Sequence, residues 1–291
     1  MVTAVAKQEK EKKRFKLWQK IVLIIAILSL LTGVGFLAFP AVSNFFSQQR
    51  ANEIIEDFHK SLDNVVPADT TGDKAPVSGV TAKSHAEAVK KGEIDDEGYA
   101  IDSNGNRTSD YPVVFEYDLD ALYRDSVAYN KSLIHNQGTV ETTNFASAAL
   151  NMSSYGLSNF YCYLSAPSIH LYLPVYLGAN DAMMSCGAAH LAGTSLPIDM
   201  NDTNVALAGH TGYIGRIFFD NIRKLELGDT VTIHNYWESI DYKVIDYKVI
   251  APDNPNDIFI KDGRQMLTLI TCIKSSKGEG FDRYLVICEK K

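Results

Sequence analysis

The sequence predicts a mostly β domain, a barrel or sandwich with one or two short helices, set behind a single apolar helix. Three observations carry this. From Phe160 to the last residue, short runs rich in β-branched and aromatic residues alternate with turn signals: YCYLSA, HLYLPVY, NVALAGH, DTVTIHNY, IDYKVIDYKVIA, QMLTLITC and DRYLVICE. That pattern is the mark of successive strands. Between Ile21 and Phe39 no residue is charged and nearly every side chain is apolar. The stretch between these two regions is polar and rich in turn formers.

The elements follow in chain order. The first twenty residues hold Lys7, Lys10, Lys12, Lys13, Arg14, Lys16 and Lys20 against Glu9 and Glu11. At ~1.5 Å per residue the apolar segment behind them covers roughly 28 Å, close to the ~30 Å hydrocarbon core of a bilayer. A transmembrane helix is therefore expected over 21–42. Its basic flank puts residues 1–20 in the cytoplasm and the rest outside the cell membrane. A cleaved signal peptide is the alternative, with Ala38 and Ala41 bracketing the place where a small-residue site would lie. Residues 43–154 read as an extracytoplasmic extension. Within it, 44–62 has Phe45, Ile54, Phe58 and Leu62 at helical spacing, and 63–95 reads as a linker. Residues 98–117 read as a hairpin, with GYAID and YPVVFEY around Asn104-Gly105. A helix with Leu119, Leu122, Val127 and Leu133 on one face follows, capped by Asp118. Residues 136–159 are polar and loop-like.

A compact β unit is expected over 155–291, with NDAMMSCGA as a short helix inside it. One local pattern asks for a structural answer. DYKVI occurs twice in tandem, at 241–245 and 246–250. The repeat is odd and strand side chains alternate with period two, so a regular strand would turn equivalent residues to opposite faces. Either a bulge near Ile245–Asp246 restores one apolar face, or the strand is buried on both sides.

Composition narrows the function. Net charge is -7, which speaks against nucleic acid as a partner. The four cysteines, Cys162, Cys186, Cys272 and Cys288, are too few for a disulfide scaffold and have no zinc-type spacing. No DxDxDG-like loop gathers oxygens for calcium. Neither a metal nor a cofactor is expected.

Three residues offer chemistry. Cys272 ends LTLITC, a run that reads as a core strand, and a polar glycine-containing loop follows. A cysteine at such a junction is accessible, and its thiolate suits acyl transfer near neutral pH. His210 ends NVALAGH between glycines. Arg283 opens the last strand. Each residue alone has an ordinary structural reading: a core cysteine, a turn histidine, a solvated strand-end cation.

Taken together, the residues resemble the sortase family. TLITC matches the TLxTC signature. YLSAPSI (163–169), LPVYLGA (173–179), GAAHLAGTSLP (187–197) and LELGD (225–229) resemble further blocks of the family, so the likeness covers 160–291. It implies an eight-stranded β-barrel transpeptidase acting on proteins that carry an LPxTG-like sorting signal. Cys272 would be the nucleophile, His210 its proton partner and Arg283 the oxyanion-side cation. Thr271, Gly209 and Thr211 would line the substrate site. His190, in the GAAHLAG block, is expected to be structural or site-lining.

The GAAHLAGTSLP block and AYN (128–130) resemble class C, the pilin polymerases, whose accepting amine is a pilin lysine. The alternative is a wall-anchoring sortase that takes a peptidoglycan precursor amine. Between 131 and 160 the Asp-Pro-aromatic lid motif of class C is missing, and Phe145 stands nearest to its place. Lys274 and Thr211 replace a customary proline and arginine. A papain-like peptidase does not fit, because here the histidine precedes the cysteine; a non-catalytic surface module would need neither.

Overall fold

The computed structural model describes residues 17–63, 65–67, 79–82, 85–110, 112–115, 117–134, 136, 145–213, 215–252, 254–276 and 278–291. Most of the basic tail, much of the linker and residues 137–144 of the lid-like stretch lie outside the described residues.

Helix α1, Leu17–Asp63, is one continuous helix of 47 residues with Pro40 inside it. The two expected helices, 21–42 and 44–62, are thus a single element. Proline forfeits one backbone bond, a loss that helices in apolar surroundings tolerate. The distal part packs through Ala51, Ile55 and Phe58, an i, i+4, i+7 stripe. Phe45, expected on that face, is exposed instead.

The extension differs more deeply from expectation. Strand β1 (Val65–Pro67) pairs antiparallel with β2 (Val113–Phe115), so the YPVVF run takes a distant strand as its ladder partner and meets the GYAID run through the Val113 N–H, which donates to the Gly98 carbonyl at 2.7 Å. Around Asn104-Gly105 the chain does turn tightly: Gly105 N–H donates to the Asp102 carbonyl at 2.9 Å, and Ile101 bridges Arg107. Helix α2 (His85–Lys91) lies in the expected linker. Ala82, Ala88, Ile94, Ala100 and Val113 form a small separate core. Helix α3 (Leu119–Leu133) begins as expected, with Asp118 accepting from the Ala121 N–H.

The β region is a closed barrel. Its strands are β3 (Phe160–Ala166), β4 (Leu171–Leu177), β5 (Ala188–His190), β6 (Thr203–Ala208), β7 (Thr230–His234), β8 (Ser239–Ile250), β9 (Gln265–Lys274) and β10 (Phe281–Lys290). The order around the barrel is β10-β8-β7-β3-β4-β5-β6-β9. β4 with β5 and β6 with β9 are parallel; the other neighbours are antiparallel. Helix α4 (Asp181–Met184), capped by Asn180, is shorter than the expected NDAMMSCGA helix.

The tandem repeat resolves as a bulge. On β10, Ile287 faces Asp246 while Cys288 faces Val244, leaving Ile245 without an opposite number. Beyond it, Tyr247 packs against the same core in which Tyr242 is buried. The extra residue brings the two copies back into phase.

Period-two alternation divides β6, β9 and β10 into two faces. Val205, Leu207, Leu267, Leu269, Val286 and Cys288 belong to the main barrel core. Ala206, Ala208, Met266, Ile270, Leu285 and Ile287 belong to a second cluster, on the opposite face. Cys272 shares its parity with Met266 and Ile270, and Arg283 with Leu285 and Ile287. Both side chains therefore belong to the second face.

Candidate active site

That second face carries a cavity of about 380 Å³ whose lining includes Cys272, Arg283, Thr271, Gly209 and Phe145. Cys272 is not at the end of its strand, as the sequence suggested. β9 runs on to Lys274, and Cys272 stands directly opposite Arg283 of β10. The hairpin between them closes with Ser275 N–H donating to the Gly280 carbonyl at 3.1 Å. Direct opposition on an antiparallel pair brings side chains together. Here Arg283 Nη1 lies 3.3 Å from Cys272 Sγ, and Cys272 is exposed to the cavity.

His210 arrives by the neighbouring strand. β6 and β9 run parallel with Ala208 opposite Ile270, so His210 and Cys272 each stand two residues beyond that pair. Gly209 N–H extends the ladder by donating to the Ile270 carbonyl at 3.0 Å. The Thr271 hydroxyl donates to the Gly209 carbonyl at 2.7 Å and meets the Thr211 hydroxyl at 2.5 Å. Gly209 is needed here, because a Cβ would fall 2.6 Å from the Phe219 ring. The imidazole stacks on Tyr213, centroids 5.4 Å apart at 23°. His210 stands beside the cavity lining and not within it.

Two expectations shift. Thr271 lines the cavity, yet its hydroxyl is committed to the β6 end; Thr211 is outside the lining and grips Thr271. Both hold the strand ends that carry His210 and Cys272. The other thiols differ sharply from Cys272. Cys162 and Cys288 are fully buried. Burial pushes the Cys288 thiol up to about 12 and drives Cys162 strongly in the same direction. Such thiols stay protonated and unreactive. Cys186 is exposed on the turn after α4.

His190 is structural. It is wholly buried, and its Nε2–H donates to the Ser195 and Thr194 carbonyls at 3.0 and 3.2 Å. Those acceptors fix the neutral tautomer with the proton on Nε2. Desolvation by burial lowers its pKa to about 4. The turn it braces is also where α3 docks: Tyr129 Oη accepts from Gly193 N–H at 2.7 Å. Asn130 exchanges two hydrogen bonds with the Leu196 backbone. The AYN triplet is thus a docking element, which spacing alone did not disclose.

The opposite wall of the cavity comes from loops and the end of α4: Phe145, Ala179, Met184, Leu191, Pro252 and Pro255 among others. Ala179 N–H donates to the Phe145 carbonyl at 2.9 Å, and Asn180 Nδ2 to the Ala146 carbonyl at 3.2 Å. Gly178, at φ +88°, permits this, since a Cβ there would fall 2.8 Å from the Ala146 carbonyl oxygen. The sequence singles out Phe145 but carries no sign of this anchorage.

Comparison with known proteins adds an independent line. A family model described as Sortase domain matches residues 164–291. Sortase A of Bacillus anthracis is 29% identical over 123 residues, 42% of this chain and 56% of that protein. The match therefore spans little more than half of that relative's length. Among solved structures, the pilus-related sortase C of Group B Streptococcus is 32% identical, with a TM-score of 0.51, covering 60% of this chain and 89% of that one. Sortase C-1 of Streptococcus pneumoniae is 31% identical, with a TM-score of 0.52 and coverage of 60% and 89%. Sortase C-1 of Actinomyces oris is 29% identical, with a TM-score of 0.51 and coverage of 60% and 98%.

Proposed function

This chain belongs to the sortase family, a family of transpeptidases, and we propose that it is a cysteine transpeptidase in which Cys272 cleaves an LPxTG-like sorting signal and passes the acyl group to an amine. One observation carries the reading: an exposed thiol 3.3 Å from a guanidinium, inside a cavity of about 380 Å³. The Cys272 thiolate attacks the threonine carbonyl of the signal, and the carbonyl π electrons move onto oxygen. Arg283 stabilises that oxyanion as well as the thiolate before it. The C–N bond then breaks, and His210 gives its proton to the departing glycine amine. The product is a thioester on Cys272. An incoming amine, deprotonated by His210, repeats the sequence in reverse and leaves a new amide bond. The protons balance without any further cofactor.

In this reading the barrel over 155–291 is the catalytic unit, 43–154 its extension, and α1 the anchor in a cell membrane, its N-terminus cytoplasmic. The accepting amine is a pilin lysine. The class C likeness rests on the 30%-or-better match to two sortase C structures, one of them described as pilus-related, and on α3 docked through AYN. The second reading, transfer to a peptidoglycan precursor amine, is favoured by the sortase A relative.

The decisive experiment uses an LPxTG-type peptide and intact-mass spectrometry. The protein should gain the mass of the acyl fragment, and Cys272→Ala should lose both this adduct and all turnover. Cys186→Ala should keep both. An adduct that survives Cys272→Ala would defeat the assignment. Competition between a lysine-containing pilin peptide and an oligoglycine amine then separates the two acceptors.

A further inference from the structure

The apolar surface of α1 does not end with its uncharged stretch at Phe39. Phe45 and Phe46 are 65% and 62% exposed and lie edge-to-face, centroids 5.7 Å apart. Beside them, the loop that follows His210 rests on the same stretch of helix. Ile217 N–H donates to Asn44 Oδ1 at 3.1 Å. Gly215, at φ +78°, lies so close that a Cβ would collide with Ser43 Oγ and fall 3.8 Å from the Phe39 ring. The loop presents Tyr213 and Ile217, 42% and 45% exposed. Phe45, Phe46 and Ile217 thus stand uncovered at one level of the helix, with Tyr213 exposed four residues before Ile217.

Length gives that level a meaning. At ~1.5 Å per residue, Ile21 to Phe46 spans about 38 Å, beyond the ~30 Å hydrocarbon core and short of the ~40–45 Å that includes headgroups. Ser43–Phe46 therefore sits in the outer headgroup region if α1 crosses a bilayer. Aromatic and apolar side chains at that depth are partly buried in lipid, and tyrosine is favoured there.

We propose that Tyr213 and residues 215–217, with Phe45 and Phe46, rest in the outer interface of the bilayer that α1 crosses, so that the catalytic cavity opens at the membrane surface. This rests on reading α1 as a spanning helix. The contact bears directly on the site. Tyr213 stacks on His210, so lipid that holds the tyrosine also holds the imidazole. Arg216 of the same loop donates to the Ser185 carbonyl, next to Met184 in the cavity wall. Lipid is the committed partner because the patch is continuous with the apolar surface of the helix.

The test is tryptophan quenching by lipids brominated on the acyl chain near the headgroup. The full chain is reconstituted in phosphatidylcholine–phosphatidylglycerol vesicles with and without bromine. Its native tryptophans are Trp18 and Trp237. Trp18 reports insertion of α1, and Trp18→Phe supplies the baseline. Adding Ile217→Trp to that background should introduce emission that brominated lipid largely removes. If the introduced indole is no more quenched than the baseline while Trp18 is quenched in the parent, α1 spans and the loop stands clear, so the proposal is wrong. The proposal fails equally if a second copy of the chain shields the introduced indole and keeps it bright. If Trp18 also escapes quenching, the spanning reading fails and takes the proposal with it.

Discussion

The two walls of the cavity that holds Cys272 are built by different means. One is a ladder: Ala208 at the end of β6 and Gly209 just after it, Ile270 to Cys272 on β9, Arg283 on β10, each fixed by inter-strand pairing. The other is a set of loop residues, Phe145, Ala179, Leu191, Pro252, Asn254, Pro255 and Ile258 among them, held by a few backbone contacts. The proposed chemistry falls on the ladder, where a side chain's position follows from register. Access and fit sit on the loops, where positions can change without disturbing the barrel. Changes to the ladder wall should therefore alter rate, and changes to the loop wall should alter binding or stability.

Arg283→Ala sharpens that contrast most. The guanidinium is half-buried and approaches Sγ across a register-fixed pair, so its loss removes a charged donor without emptying a core. Turnover of a sorting-signal peptide should fall about 10²–10³-fold, the range for deleting one oxyanion donor. The melting temperature should change little. Arg283→Lys should not restore the rate, because an ammonium lacks the planar fork of donors. A variant with near-normal turnover would move the chemistry off the ladder.

The loop wall has its own vulnerability, to acid. His190 closes β5 next to Leu191 of the wall, and burial lowers its pKa to about 4. The unfolded chain takes up this proton near the model-peptide value of about 6.5, but the folded chain only near pH 4. The unfolded state thus binds more protons between those values. The contribution is fully present above about pH 6.5, declines as pH falls toward 4, and is flat below. With ~1.4 kcal/mol per pH unit, the loss amounts to about 3 kcal/mol. Denaturant midpoints of the detergent-solubilised chain should follow that slope. His190→Gln keeps a donor near the Ser195 carbonyl and should flatten the curve relative to wild type. Parallel curves for the two proteins would show that His190 is not the group responsible.

The same contrast explains what is legible in sequence. Strands such as QMLTLITC and DRYLVICE announce themselves through bulky, β-branched residues, and the odd length of the DYKVI repeat leaves two answers, a bulge or a strand buried on both sides, of which β8 contains the bulge. β5 is not visible as a strand, because Ala188 and Ala189 have too little bulk to signal one. The extension misleads a local reading because β2 pairs with β1, nearly fifty positions away, and no local pattern encodes a distant partner. A local reading also splits α1 into helices over 21–42 and 44–62, where the apolar run gives way to an amphipathic pattern, whereas the helix is continuous from Leu17 to Asp63. For the site, Cys272, His210 and Arg283 stand out in the sequence, and register explains how Cys272 and Arg283 meet. The loop wall is hidden because Phe145 and Ala146 are held at the cavity by Ala179 and Asn180, a contact between segments whose sequences carry no matching signal.

Phe145→Ala should have the smallest effect and tests the loop wall directly. The segment's anchorage is main-chain: the Phe145 carbonyl accepts from Ala179 and the Ala146 carbonyl from Asn180. Truncating the ring leaves both bonds in place, so the wall should stay and lose only some apolar contact with Ile270 and its neighbours. Peptide hydrolysis should change by no more than a few fold, mainly through KM. Gly178→Ala makes the useful partner. It forces a Cβ toward the Ala146 carbonyl at a φ of +88°, a conformation alanine rarely adopts, and should detach 145–147 altogether. Its effect on hydrolysis should therefore exceed that of Phe145→Ala. If Phe145→Ala instead activates hydrolysis strongly, and Gly178→Ala does the same, the ring is a plug over Cys272 and the loop wall acts as a lid.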